Sequence, residues 1–212
     1  MRKLMVLEMV TLDGVMQAPG GREEDQRGGF THGGWSAPYN DSVKMQIMGE
    51  GMSRGADLLF GRWTYEKMYN VWHGRTDNPF TAVFERSQKY VASRTHEGPL
   101  PWVNSTLLEG DAADAVAELK QQPGLDLLVM GSGVLAQSLM RRGLVDEYQL
   151  LIHPLVLGSG RRLFTDDVPC SALRLVRSVP TTTGVIIATY EPVDRPAIAT
   201  TEPVDRAVAA RV

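Results

Sequence analysis

Residues Asp126–Gly143 read DLLVMGSGVLAQSLMRRG. The apolar run ends at Met130, Gly131-Ser132-Gly133 makes a turn, and Val134–Arg142 has helical character. A strand that enters a helix through glycines leaves room against its backbone. The first turn of a helix carries unpaired N–H groups and a partial positive charge, and glycine lets an anion come close to them. The same glycines also supply dihedrals that a tight strand-to-helix turn needs. Taken alone, the stretch is either a phosphate cradle or a plain turn.

The segments around it alternate. Lys3–Thr11 reads as a strand ending at the turn signal LDG, and Pro19–Gly34, PGGREEDQRGGFTHGG, has no period and reads as a long loop. Asp41–Arg54 reads as a helix capped by Asp41 or Ser42, with Val43, Met45, Ile47, Met48 and Met52 facing inward. Ala56–Gly61 and Lys89–Ser93 read as strands, with a helix start at TYEKMY after the first. Asp111–Gln121 is a helix stopped by Pro123-Gly124, Glu147–His153 is a strand, and Leu173–Ser178 and Gly184–Tyr190 form a closing pair. Strands alternating with helices predict a three-layer α/β/α fold. Its sheet is mixed and mostly parallel, with a C-terminal antiparallel hairpin. No linker divides the chain, so residues 1–192 are expected to form one domain. ATYEPVDRPAI is nearly repeated as ATTEPVDRAVA, and residues 193–212 are expected to be a poorly ordered tail.

The bulk numbers narrow the class. The 212 residues are 43% hydrophobic and 22% charged, an ordinary globular balance. A net charge of −3 makes no case for nucleic acid or an anionic membrane. The start, MRKLMVLEMVTLDG, is broken by Glu8 and reads as a strand rather than a signal peptide. The one cysteine, Cys170, cannot form an intramolecular disulfide, so a cytoplasmic setting is expected. Four histidines and one cysteine show no zinc spacing, so no metal is expected.

Gly131-x-Gly133-x-x-Ala136 matches the dinucleotide fingerprint in form. That fingerprint also needs an acid about 20 residues on, at the end of the next strand. The next strand here ends LLIHP, without one. A Rossmann site is therefore rejected, and the cradle physics is kept. Two further strand ends carry phosphate-binding residue types: Gly61, Arg62 and Thr64 in FGRWTYE, and Ser93, Arg94 and Thr95 in VASRT. Ligands of open α/β sheets bind outside the carboxyl ends of strands, and arginine offers phosphate a planar donor fork.

These pieces, in order, resemble the dihydrofolate reductase-like superfamily. The closest branch is the one related to the reductase domain of bifunctional riboflavin-biosynthesis enzymes. The resemblance rests on TLDGVMQAPGG, GGFTHGGW, LLFGRWTYE, KYVASRT, LLVMGSGVLAQSL, GLVDEYQLLIHPLVLGSGRRLF and TTTGVIIATYE, over about residues 1–192. It implies NADPH as hydride donor. Gly61, Arg62 and Thr64 would lie at the phosphates, and Ser93, Arg94 and Thr95 at the 2′-phosphate. Gly131, Ser132, Gly133, Val134 and Leu135 would lie under the pyrophosphate, with Thr11, Leu12, Asp13 and Gly14 near the nicotinamide.

For the substrate, Phe30 and Trp35 in the Gly-rich segment are expected to stack on a ring. Asp13 and Asp41 are the acids to weigh for catalysis, and His32, His73, His96 and His153 are proton donors by residue type. In folate-reducing relatives an acid on the pocket helix grips the pterin. Asp41 lies about a turn too early for that, which favours helix capping and argues against folate reduction. The expected activity is NADPH-dependent reduction of a small heterocycle, such as the aminopyrimidine of a 5-amino-6-(5-phosphoribosylamino)uracil reductase. The alternatives are dihydrofolate reduction and a non-catalytic dinucleotide-binding protein. A homodimer is expected through the C-terminal strands, because the apolar run YQLLIHPLVLG needs cover.

Overall fold

A computed structural model describes residues 1–193. Along the chain run β1 (Leu4–Thr11), α1 (Ser42–Arg54), β2 (Asp57–Gly61), α2 (Arg62–Trp72), α3 (Phe80–Arg86), β3 (Lys89–Ala92) and β4 (Ser105–Leu108). Then come α4 (Ala112–Gln121), β5 (Leu127–Met130), α5 (Gly133–Arg141), β6 (Glu147–His153), β7 (Ala172–Pro180) and β8 (Ile186–Val193). One eight-stranded sheet has the order β4-β3-β2-β5-β1-β6-β8-β7. Strands β1 to β6 pair in parallel, and β8 pairs antiparallel with both β6 and β7. The expected mixed sheet with its closing hairpin is the one the chain forms.

Both faces of the parallel strands are covered, which is why they read as unbroken apolar runs. Leu4, Val6, Leu59, Leu127 and Val129 pack under Val116 and Leu119 of α4 and Ala136, Leu139 and Met140 of α5. On the opposite face Leu58, Phe60 and Val91 meet Tyr65 of α2, Phe84 of α3 and Trp102. Ile47 of α1 joins that layer over Leu7, Leu151, Val185 and Ile187. Full burial of a side chain such as Phe84 contributes about 1.5–3 kcal/mol.

The order of strands places the site. Strand β5 lies between β1 and β2, and the chain leaves β1 and β5 in opposite directions. The segment after β1 leads to α1 on one face, whereas β5 leads to α5 on the other. A crevice opens outside the carboxyl ends of strands where connections part in this way.

Several expectations are corrected. Helix α3 and strand β4 are absent from the sequence reading. The α3 helix starts at Pro79 without a side-chain cap on its own N-cap residue, and Asn78 Oδ1 instead accepts the Phe80 N–H at 2.9 Å. Its other end is closed by the buried Lys89, whose Nζ donates to the Phe84 and Ser87 carbonyls at 2.6 and 2.7 Å. On α1, Met45 is exposed and Lys44 is buried in its place. Strand β6 is an interior strand between β1 and β8, so the part of the apolar run that lies in β6 is covered within the chain, whereas Val156 beyond it is exposed; β7 is the C-terminal edge and β4 the other. Of the duplicated stretch, Ala188–Val193 belong to β8, and Val193 thus joins the sheet; the rest, from residue 194 on, lies outside the described residues.

Candidate active site

The carboxyl ends of β2, β3 and β5 meet through side chains. Ser132 adopts the left-handed conformation, with φ 61°, and its Oγ accepts the Gly61 N–H at 2.9 Å. In return the Ser132 N–H donates to Thr64 Oγ1 at 3.1 Å. Each hydroxyl accepts here, so each keeps its own O–H to donate. Arg62 bridges to β3, donating to Thr95 Oγ1 at 2.9 Å while pairing with Glu66 at 2.7 Å. Ser93 Oγ accepts from the Thr95 and His96 N–H groups at 3.2 and 3.0 Å. Arg94 is exposed beside them.

No side chain caps α5, so its first N–H groups face the turn without a side-chain acceptor. Gly131 has φ +64°, and a Cβ there would stand 3.1 Å from Thr64 Cγ2. At Gly133 a Cβ would stand 2.6 Å from Met16 Sδ. The Met16 side chain therefore lies over the cradle from the loop that follows β1. Val134 is exposed and Leu135 is buried in the core under the sheet.

That loop is held by Asp13. Thr11 Oγ1 donates to Asp13 Oδ1 at 2.5 Å, and the Leu157 and Gly158 N–H groups donate to its carboxylate at 3.2 and 2.8 Å. The Thr11 hydroxyl, followed by these backbone donors, outweighs desolvation and holds the Asp13 pKa below its ordinary value. Asp13 is thus an ionised tether between two loops and has no proton to give near neutral pH.

Asp41 is the N-cap of α1. It accepts the Lys44 N–H at 2.8 Å, and its other oxygen accepts the Thr182 N–H and hydroxyl at 2.6 and 2.7 Å. The Lys44 amide first, with Thr182 behind it, pulls the carboxyl down to about 2. The capping role is the one its geometry serves.

Phe30 and Trp35 are buried, packed with Val15 and Ala18. Trp35 Nε1 donates to the Gln17 carbonyl at 2.7 Å. Behind Trp35 lies His153, fully buried at the end of β6. The Trp35 and Tyr39 rings stand edge-on to its imidazole, with centroids at 5.0 and 5.6 Å. His32 lies against Phe30 in the Gly-rich segment, with ring centroids 5.6 Å apart. His73, the C-cap residue of α2, lies 3.0 Å from Glu85.

Two charged side chains at the crevice escaped the sequence reading. Glu8 of β1 is 3% exposed, one residue beyond the last β1–β5 pair, Leu7↔Met130, and its Oε1 has no hydrogen-bond partner. Burial, followed by the Glu24 charge, raises its pKa well above 4.5. Lys44 is also 3% exposed, with Nζ 3.0 Å from Asn40 Oδ1. The signal for Lys44 was its place at 44 in the series 40, 44, 47, 48 along one helix face. Glu8 carried a signal too, as a carboxylate inside an otherwise apolar strand.

The eight-stranded mixed sheet, with its crevice outside the ends of β1 and β5, has the dihydrofolate reductase-like fold. Within that class the chain belongs to the RibD C-terminal domain family, whose model matches residues 2–187. It is 30% identical over 141 residues to the uncharacterized protein YyaP of Bacillus subtilis (strain 168), covering 63% of this chain and 72% of that one. Among solved structures it resembles a putative riboflavin biosynthesis protein from Shewanella sp. PV-4, with TM-score 0.63 and 21% identity over 91% of this chain and 99% of the other. It also resembles dihydrofolate reductase from Enterococcus faecalis complexed with NADP(H), with TM-score 0.57 and 16% identity over 91% and 97%. A pyrimidine reductase-like protein from Corynebacterium diphtheriae gives TM-score 0.57 and 12% identity over 92% and 93%. At these identities the structural likenesses establish the fold. Among the described residues no helix is long and apolar enough to cross a membrane.

Proposed function

We propose that the protein is an NADPH-dependent reductase of a small heterocycle of the riboflavin-type aminopyrimidine class. Membership in the RibD C-terminal domain family supports an oxidoreductase of the riboflavin-biosynthesis type. The observation that carries the cofactor reading is the junction of Gly61, Ser132 and Thr64, which draws two strand ends to the uncapped start of α5. Two free hydroxyl protons, the first N–H groups of α5 and a glycine without a Cβ fit a pyrophosphate once Met16 swings aside. Arg94, with Arg62 and Thr95 behind it, would hold the 2′-phosphate. NADPH supplies a hydride when bound. The chain supplies orientation and a dry crevice: Asp13 fixes the loop after β1, and Phe30 and Trp35 close the segment above it.

Dihydrofolate reduction is the second reading, and one observation opposes it. The residue that α1 turns inward one turn after Asp41 is Lys44, a cation where a pterin needs a carboxylate. A screen of NADPH oxidation against aminopyrimidinediones, dihydrofolate and quinones tests the proposal. Turnover of an aminopyrimidinedione is expected. Efficient turnover of dihydrofolate, about 10⁴ M⁻¹s⁻¹ or higher, overturns the substrate class, and NADPH binding without oxidation by any of them would mark a non-catalytic binder.

A further inference from the structure

A cavity of about 630 Å³ lies toward the opposite end of the sheet from the crevice. Tyr148, the second residue of β6, lines it. His153, at the crevice end of the same strand, is five residues further on, about 17 Å of extended chain. The walls come from four places: Met140 near the end of α5, Val145 ahead of β6, Phe164 in the connection from β6 to β7, and Leu173 in β7. Small-molecule sites commonly measure about 300–1,000 Å³ and are apolar with a few placed polar groups, and this cavity has both properties. Phe164 is 43% exposed, although Leu163 beside it is fully buried. Its ring is tilted against that of Tyr148, with centroids 6.0 Å apart, so the cavity has an aromatic lip.

The polar groups in the wall limit what the cavity can hold. Tyr148 is 6% exposed. A buried tyrosine hydroxyl as a rule has a hydrogen-bond partner. Among the described residues this one has none, and burial alone pushes its pKa up to about 12. The hydroxyl therefore stays protonated and presents a donor that lacks an acceptor. Arg141 at the rim donates to Asp167 at 2.6 Å, and no other lining residue is Asp, Glu, Lys, Arg or His. An ion would find no unpaired counter-charge in this wall. The complement is an uncharged, mostly apolar molecule with an acceptor oxygen. Cys170, the one cysteine of the chain, is free and exposed in the same wall, so its thiol reports on whatever occupies the cavity.

We propose that this cavity is a ligand site separate from the reductase crevice, for a small neutral aromatic carbonyl compound whose ring packs against Phe164 and whose oxygen accepts from the Tyr148 hydroxyl. It does not rest on the reductase reading. The test uses the full chain and follows alkylation of Cys170 by iodoacetamide, read by mass spectrometry. The alkylation is run at rising concentrations of acetophenone, or of α-methylstyrene, which has the same shape and no oxygen. Acetophenone should slow the alkylation saturably. Tyr148→Phe, which keeps the ring in the core, should weaken acetophenone by about 2- to 10-fold, the range of one neutral hydrogen bond, and leave α-methylstyrene unchanged. Ser171→Trp, on the exposed part of the wall, should fill the cavity and remove the protection by both compounds, which decides the matter even if Tyr148→Phe does not fold. No protection by acetophenone up to its solubility, equal weakening of both compounds by Tyr148→Phe, or protection that survives Ser171→Trp overturns the inference. Alkylation that is slow without either compound and quickens on dilution of the protein would mean that a second copy covers the cavity, and overturns it too.

Discussion

The Ser132 hydroxyl accepts the Gly61 N–H at 2.9 Å across 71 positions of the chain, and the Ser132 N–H returns a bond to Thr64 in the first turn of α2. This exchange locks the start of α5 to the start of α2. Ser132→Ala should destabilise the protein by about 0.5–1.5 kcal/mol for the lost hydrogen bond. Ser132→Gly loses the same bond but relaxes the positive φ, so it should cost less than the alanine variant. Urea denaturation of the two variants checks the order. Equal stability of both with wild type would remove the junction from any account of the cradle.

Arg94 stands exposed at the end of β3, next to the Arg62–Thr95 bond. Arg94→Ala should weaken NADPH binding by about 1.5–3 kcal/mol, roughly 10- to 100-fold, and leave NADH binding unchanged. Calorimetric titration of both cofactors measures it. Equal affinity of wild type for NADPH and NADH would contradict the assignment of the 2′-phosphate.

Gly133→Val should abolish cofactor binding while the protein stays folded. The structure adds a second obstacle to the one expected at the pyrophosphate, because the new side chain meets Met16 Sδ first. Met16 is flexible and can move, so displacement of Met16 alone does not explain a loss of binding. The double variant Met16→Ala/Gly133→Val separates the two: it should fold with wild-type circular dichroism and still fail to bind NADPH. Recovery of binding in the double variant would assign the effect to the loop.

The buried Glu8 carboxyl sets a pH dependence. Its folded pKa is raised well above 4.5, so it prefers to be protonated in the folded state. Its contribution to stability is complete below the unfolded pKa and is lost as pH rises toward the folded one. The slope for one proton is at most about 1.4 kcal/mol per pH unit. Glu8→Gln has no such proton. The stability gap between Glu8→Gln and wild type should therefore move in favour of the variant as pH rises from acid to neutral, as read by denaturation at several pH values. A gap that does not change with pH would mean that Glu8 stays charged or reaches solvent.

Assembly through the C-terminal strands would have to use β7, the sheet edge, where Leu175 and Val176 are about half exposed. Light scattering should give a mass near twice the 23.3 kDa of the chain. Leu175→Lys should reduce it to one chain. A monomer mass at high micromolar concentration counts against the dimer.

The sequence by itself determined the sheet and the strand ends at which the cofactor is proposed to bind. Four-residue strands such as LLVM are apolar on both faces because α-layers cover both, and that leaves a readable run. Gly131, Gly133 and the Gly-Arg and Ser-Arg turns are local features: their residue types answer to backbone dihedrals and to phosphate geometry within a few positions. Helix α3 was not legible, because its N-cap residue Pro79 offers no side-chain cap and a buried lysine, Lys89, closes its other end. Only the tertiary structure decided which polar groups are buried. Glu8 sits in a strand that reads as core, and Lys44 in a helix that reads as amphipathic. Their burial depends on the loop after β1 and on the segment Gly33–Asn40 folding over the strand ends, neither of which has a sequence period. Desolvation and unmet hydrogen bonds come from everything packed around a side chain, and that environment is assembled from residues more than a hundred positions apart.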